Sequence, residues 1–203
     1  MDLRGFILGM VYIWYSQAIK MNTIYSQTLG QLTQDENFED WWHSQPFEIP
    51  LFDGKTMPVI FMDFVPEHDA EFTSEADEAV RNFFKLDSVY RENISAHVYK
   101  NCIDFLAAVE YDKADDHLRN IENEEEIWQY VHPNEIYVSR RHRRDGNIYI
   151  MIACDCDWEQ EHGLQLVFRQ GKKLTRVSEQ DGHVTEADAY DKPDSEDELL
   201  SKF

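Results

Sequence analysis

The chain has 203 residues, of which 40 are Asp or Glu and 19 are Lys or Arg, giving a formal net charge of −21. With 42% hydrophobic and 13% aromatic residues it carries enough bulky apolar material to close one sizeable core, which excludes wholesale disorder. Eight Gly, six Pro and three Cys are too few for collagen-like, Pro/Gly-rich or disulfide-scaffold classes.

The chain opens on an apolar run, Gly5 to Trp14, followed by Ser16-Gln17-Ala18, which resembles a signal-peptide cleavage site. Asp2 and Arg4 cancel, so there is no positive leader, and the run is too short to span a bilayer as a helix. Residues 1–36 read as an N-terminal extension or accessory helix, with Met21 as an alternative start. A single domain is expected over residues 37–190. An odd cysteine count, with Cys154 and Cys156 one residue apart, suits a reducing cytoplasm.

Trp41-Trp42-His43 reads either as an exposed aromatic anchor or as simple packing at the entrance to a hairpin. Phe47–Phe52, the turn Asp53-Gly54-Lys55, and Met57–Phe64 predict that hairpin. Pro50 places the first strand at an edge, whereas Val59, Ile60, Phe61 and Met62 put apolar groups on both faces of the second. From Thr73 the period changes: Ala76, Ala79, Val80 and Phe83 predict a helix. Ile94, Val98, Cys102, Phe105, Leu106 and Val109 predict a second, capped by Asp87 or Ser88. Asn123 to Glu126 reads as a capping box for a third, running through Ile127, Trp128 and Val131 and stopped by Pro133.

After Pro133 alternation returns at Glu135–Ser139, Asn147–Trp158, Leu164–Arg169 and Leu174–Ser178, with turns at Asp145-Gly146 and Gln170-Gly171. Four short strands in succession predict an antiparallel meander. The order hairpin, helices, meander gives an α+β fold, with about three helices on one face of a mostly antiparallel sheet. Residues 191–203 read as a mobile acidic tail in which Leu199, Leu200 and Phe203 could dock.

Three constellations could carry chemistry. In Cys154 to His162, Asp155, Asp157, Glu161 and His162 offer ligands to a divalent cation, although the spacing is not that of an EF-hand. The alternative is a solvated acidic face. Cys154 and Cys156 lack the usual spacing of a zinc knuckle and read better as core thiols. Arg140, Arg141, Arg143 and Arg144 could grip an anion, or could neutralise the chain's own acids in a neighbouring strand or the tail. No phosphate-binding Gly loop, nucleophile elbow or zinc-protease helix is present.

The stretch Cys154 to Phe168, continuing through Gly171–Leu174 to Asp181-Gly182-His183, resembles an uncharacterised bacterial family of small acidic proteins, a domain of unknown function with a Trp-Glu-x-Glu-His-Gly core. The likeness runs from about Phe47 to Asp191 and takes in Ile136 to Arg144. It implies a compact bacterial cytoplasmic protein and transfers no residue role; some relatives accompany toxin systems.

A surface this negative repels phosphate backbones and anionic lipid, so a basic protein is the expected partner, with no nucleic acid and no membrane. The leading expectation is a non-enzymatic binding module, an immunity or antitoxin-like inhibitor of a basic toxin. Asp155, Asp157, Glu159 and Glu161, or the tail, would supply its patch. No cofactor is expected. The rival is a divalent-metal-dependent enzyme at Asp155, Asp157, Glu161 and His162; a structural or oligomeric component is a third reading, and the oligomeric state stays open.

Overall fold

The computed structural model describes residues 22–201. The apolar run from Gly5 and the alternative start at Met21 lie outside them. Among the described residues, eight strands form one sheet in the order β1-β2-β3-β6-β7-β8-β9-β10. Its strands are Thr23–Ser26 (β1), Gly30–Gln34 (β2), Trp42–His43 (β3), Val59–Phe61 (β6), Val131–Arg140 (β7), Ile148–Cys156 (β8), Leu164–Arg169 (β9) and Lys173–Ser178 (β10). Every neighbouring pair is antiparallel except β6 and β7, which run parallel. Phe47–Ile49 (β4) and Lys55–Met57 (β5) make a separate two-stranded ribbon.

The predicted meander is present as β7 to β10. Along β8, Ile148, Ile150, Ile152, Cys154 and Cys156 face the main core, while Tyr149 and Ala153, on the opposite face, are buried too. A strand covered on both faces explains its near-continuous apolar run.

The predicted hairpin divides. β4 and β5 pair around a 3-10 turn at Pro50–Phe52, closed by Asp53 and Gly54 in the left-handed region. Pro58 then ends the ribbon, because it has no N–H for the ladder. The remaining apolar residues, β6, leave for the main sheet and are buried on both faces.

Two long helices, α1 (Phe72–Phe83) and α2 (Ser88–Ala108), cover the core face. Phe83 of α1 and Tyr90 of α2 both pack against Phe168 of β9, at ring separations of 5.5 Å and 6.2 Å. The Asp87 carboxylate caps α2, accepting the N–H groups of Val89 and Tyr90 at 3.1 Å each. Val109, expected in the α2 stripe, is instead its exposed C-terminal flank.

The third predicted helix is a 3-10 segment, Glu124–Tyr130, whose cap is Asn123. Pro133 does not stop it: Val131 has already begun β7, and a register shift between Pro133 and Glu135 accommodates the missing donor. Three four-residue helices carried no readable periodicity: α3 (Asp116–Arg119), α4 (Glu186–Ala189) and α5 (Glu198–Ser201).

Both ends of the expected domain differ. Residues 23–34, read as part of an extension, form the β1–β2 hairpin and add two strands to the sheet. Their turn is held by buried Asp77 of α1, which accepts the Ser26 hydroxyl and the N–H groups of Gln27 and Thr28. Beyond residue 190, buried Asp197 accepts the N–H groups of Ala187 and Leu200 at 2.9 Å each, so the acidic stretch is folded through Ser201. Leu200 docks as expected; Phe203 lies outside the described residues. No helix among the described residues is long and apolar enough to cross a membrane.

Candidate functional site

The arginine cluster is turned inward. Arg140 pairs with Asp69 at 2.6 Å and Glu75 at 2.5 Å. The Arg141 side chain is only 4% exposed and holds Asp188 and Asp194 at 2.7 Å and 2.8 Å, with Thr185 Oγ1 accepting a further bond at 3.0 Å. Arg144 reaches the same two carboxylates at 3.1 Å and donates to the Lys192 and Ala187 carbonyls. Arg143 is exposed. Three of the four cations therefore neutralise the chain's own acids, and two of them fasten residues 185–197 to the outer face of the sheet.

The acidic run between β8 and β9 is spread out rather than convergent. Asp155 is exposed on β8, opposite His132 in register, and Asp157 lies 2.9 Å from His132 Nε2. Glu159 turns back, its Oε1 accepting the N–H groups of Glu161 and His162 at 2.9 Å and 3.1 Å, while Glu161 stays exposed. Of the four expected metal ligands only His162 sits in a group with metal-binding geometry. Its partners there are Glu159 and Glu179, the three donor atoms lying within 4.8 Å of one another. Cys102, Cys154 and Cys156 are buried free thiols. Loss of solvation raises all three pKa values, with Cys156 pushed up to about 11 and Cys102 to about 12.

Trp42 is core, its Nε1 donating to the Phe64 carbonyl at 2.9 Å. Trp41 stacks on exposed Phe38 at 4.8 Å and meets Tyr137 edge-on at 5.7 Å.

A concavity of about 880 Å³ lies at the β10 edge of the sheet. One wall is the second half of α2, with His97, Lys100, Asn101 and Asp104; at one end stand Trp158, Glu159 and Gly163. Arg176, Val177 and Ser178 of β10, with Glu179, line the edge itself. The other wall is the C-terminal segment, with Glu186, Tyr190, Lys192, Glu196 and Glu198. The segment lies on the face opposite the helices: the Val184 carbonyl accepts Thr175 Oγ1, and the His183 carbonyl accepts Gln165 Nε2.

The cations of this groove are largely spent. Arg176 is 3% exposed, pairs with Asp181 at 2.6 Å and Glu186 at 3.5 Å, and donates to the His183 and Thr185 carbonyls. Lys100 pairs with Asp104 along α2. Glu179 and Glu196 carry no ion pair among the described residues, so the groove faces solvent with a surplus of carboxylates. Of the four acids singled out between β8 and β9 only Glu159 lines it, and from the stretch read as the acidic tail Glu196 and Glu198 line it too. Glu179 and Glu186 escaped notice as site residues because they stood among the turn acids before the tail, with no local spacing to mark a shared surface.

A family model described as Domain of unknown function (DUF6985) matches residues 28–184, from the turn before β2 to the start of the C-terminal segment. Asp188 and Asp194, the carboxylates on Arg141, lie beyond that span. No curated protein and no solved structure matches the chain.

Proposed function

The chain belongs to the DUF6985 family, and for this member we propose a non-enzymatic protein-binding module that receives a basic partner in the groove beside β10. The observation that carries the reading is the segregation of charge. Arg140, Arg141, Arg144 and Arg176 are consumed in internal pairs, leaving Glu179 and Glu196 without an ion pair on the groove lining, with the hydrogen-bonded carboxylate of Glu159 at its end. A cleft lined by one sign of charge focuses its field and speeds arrival of a counter-charged partner. Asp155 and Glu161, exposed on the neighbouring strand and loop, extend the negative potential beyond the groove. A narrower form of the proposal is inhibition, with the module covering a basic toxin in the manner of an immunity protein.

Octalysine tests the reading by calorimetric titration at low and physiological salt. The variant Glu159→Lys/Glu179→Lys/Glu196→Lys should bind at least tenfold more weakly than a control reversed at Glu36, Glu67 and Glu122, exposed acids that do not line the groove. Equal weakening by the two triple reversals would reduce the effect to net charge and reject the site.

The metal-dependent reading moves with the geometry, from Asp155, Asp157 and Glu161 to Glu159, His162 and Glu179. One imidazole and two carboxylates suit Zn²⁺ or Mn²⁺. Titration with either ion, with Glu179→Gln as the control, tests it: heat at sub-millimolar ion that vanishes in the variant supports a metal centre, and no heat dismisses it.

A further inference from the structure

Taking the groove as the partner site, we infer how the partner is held: an extended, lysine- or arginine-rich segment pairs with the outer edge of β10 and adds a ninth strand to the sheet. The backbone supplies the first reason. Among the described residues β10 closes the strand order and has β9 as its only neighbour. Among the described residues the main chain of Arg176, Val177 and Ser178 makes no hydrogen bond outside that pairing, whereas Leu174 N is covered by the Tyr90 hydroxyl at 3.2 Å. The edge is thus hydrogen-bonded at its start and unclaimed from Arg176 onward, where the cavity lies, with α5 packed nearby. An open edge is a row of unpaired donors and acceptors, a ready template for another strand.

The walls supply the second reason. A strand added here would send alternate side chains to opposite faces of the sheet. One set would meet the α2 side, near Glu159 and Glu179; the other would meet the C-terminal wall, near Glu196. Carboxylates on both sides select cations at consecutive positions of the partner. An amphipathic strand, charged on one face and apolar on the other, would leave one wall without a counter-charge. A volume of about 880 Å³, at the upper end of ligand-sized cavities, suits a short extended stretch rather than a folded domain.

The test alters the peptide, so folding of the protein is not at issue. Octalysine and octalysine methylated on every backbone nitrogen have the same charge and length, but the second cannot donate to a ladder. The inference expects at least a tenfold loss of affinity on methylation, and slowed amide hydrogen exchange confined to β10 when the parent peptide is bound. Equal affinity of the two peptides, or protection at β1 in place of β10, would overturn the strand pairing while leaving the acidic groove as the binding site. If groove reversal fails to weaken octalysine binding, the groove reading itself is lost and the inference goes with it.

Discussion

Arg141 grips Asp188 with two parallel hydrogen bonds, Nε to Oδ2 at 2.7 Å and Nη2 to Oδ1 at 2.8 Å, across 47 residues of chain. This bidentate pair, doubled by Asp194 on the same guanidinium, fixes one wall of the groove to the body of the sheet. Arg141 also lies over the Tyr149 ring at 5.9 Å, so its removal would take away packing as well as charge.

Arg141→Ala should therefore cost about 3 kcal/mol, the lower end for breaking a buried pair, because Asp188 and Asp194 keep some contact with water. For a protein of this size that is a fall of roughly 6–12 °C in Tm. Arg143→Ala, an exposed neighbour, should stay within about 0.5 kcal/mol of wild type. Calorimetric melting of both variants checks the contrast, and equal melting temperatures would contradict the buried clamp.

The clamp also carries a pH dependence. The Arg141 hydrogen bond lowers the Asp194 pKa below its ordinary 3.8, and the charges of Arg141 and Arg144 lower it further. A depressed carboxylate adds stability that is present above the ordinary value and lost as pH falls through the lowered one. With Asp194 39% exposed, solvent screening keeps its share small, about 1 kcal/mol at neutral pH. The stability gap between wild type and Asp194→Asn should be constant from pH 7 to pH 5 and close below the ordinary value of 3.8. A gap that widens on acidification would assign the effect to another group.

The sequence spoke clearly where a period ran unbroken. Ala76, Ala79, Val80 and Phe83 mark α1, Val98, Cys102 and Leu106 mark α2, and β7 to β10 alternate around recognisable turns. It was mute for β1 to β3, where the five residues Gly30–Gln34 bury Leu32 alone and two residues suffice for β3. Strands so short depend on their neighbours rather than on their own pattern. Pro58 shows the same limit: Met57–Phe64 read as one strand through it, and neither the break nor the destination of β6, parallel to a strand more than seventy residues later, was visible. The groove is harder still, because its walls come from α2, the β8–β9 loop, β10 and the C-terminal segment. The alternative that the arginines neutralise the chain's own acids was legible from charge alone; which acids they meet required the fold.

The three thiols should be silent in the native state. Burial raises each pKa, to about 12 for Cys102 and about 11 for Cys156, so none is a thiolate at neutral pH. An aromatic disulfide reagent at pH 8 should label none of them in native protein and all three after denaturation. Linkage fixes the sign of the stability effect. A thiol held protonated in the fold adds stability that is intact below the unfolded pKa, near 9.0, and is lost as pH rises toward the folded value. Stability should accordingly decline above pH 9, and rapid labelling of native Cys154 or Cys156 would show that the β8 core face is open to solvent.

Gly171, in the β9–β10 turn, is the point where the meander meets α1. Its φ is +63°, and a Cβ built there would lie 2.0 Å from the Ala79 carbonyl oxygen and 2.9 Å from Phe83 N. Both obstacles are helix backbone, which cannot move aside as a flexible side chain could. Gly182 has a similar φ of +77° but nothing within 4 Å of the same position. The left-handed conformation alone costs a residue with a side chain about 1–2 kcal/mol, so Gly182→Ala isolates that strain. Gly171→Ala adds a collision that must push α1 away from β9, parting Phe83 from Phe168. Its loss should exceed that of Gly182→Ala by at least about 2 kcal/mol, the scale of overpacking a rigid site. Urea denaturation of the pair checks it: equal midpoints would mean that α1 does not approach the turn as closely as its backbone indicates.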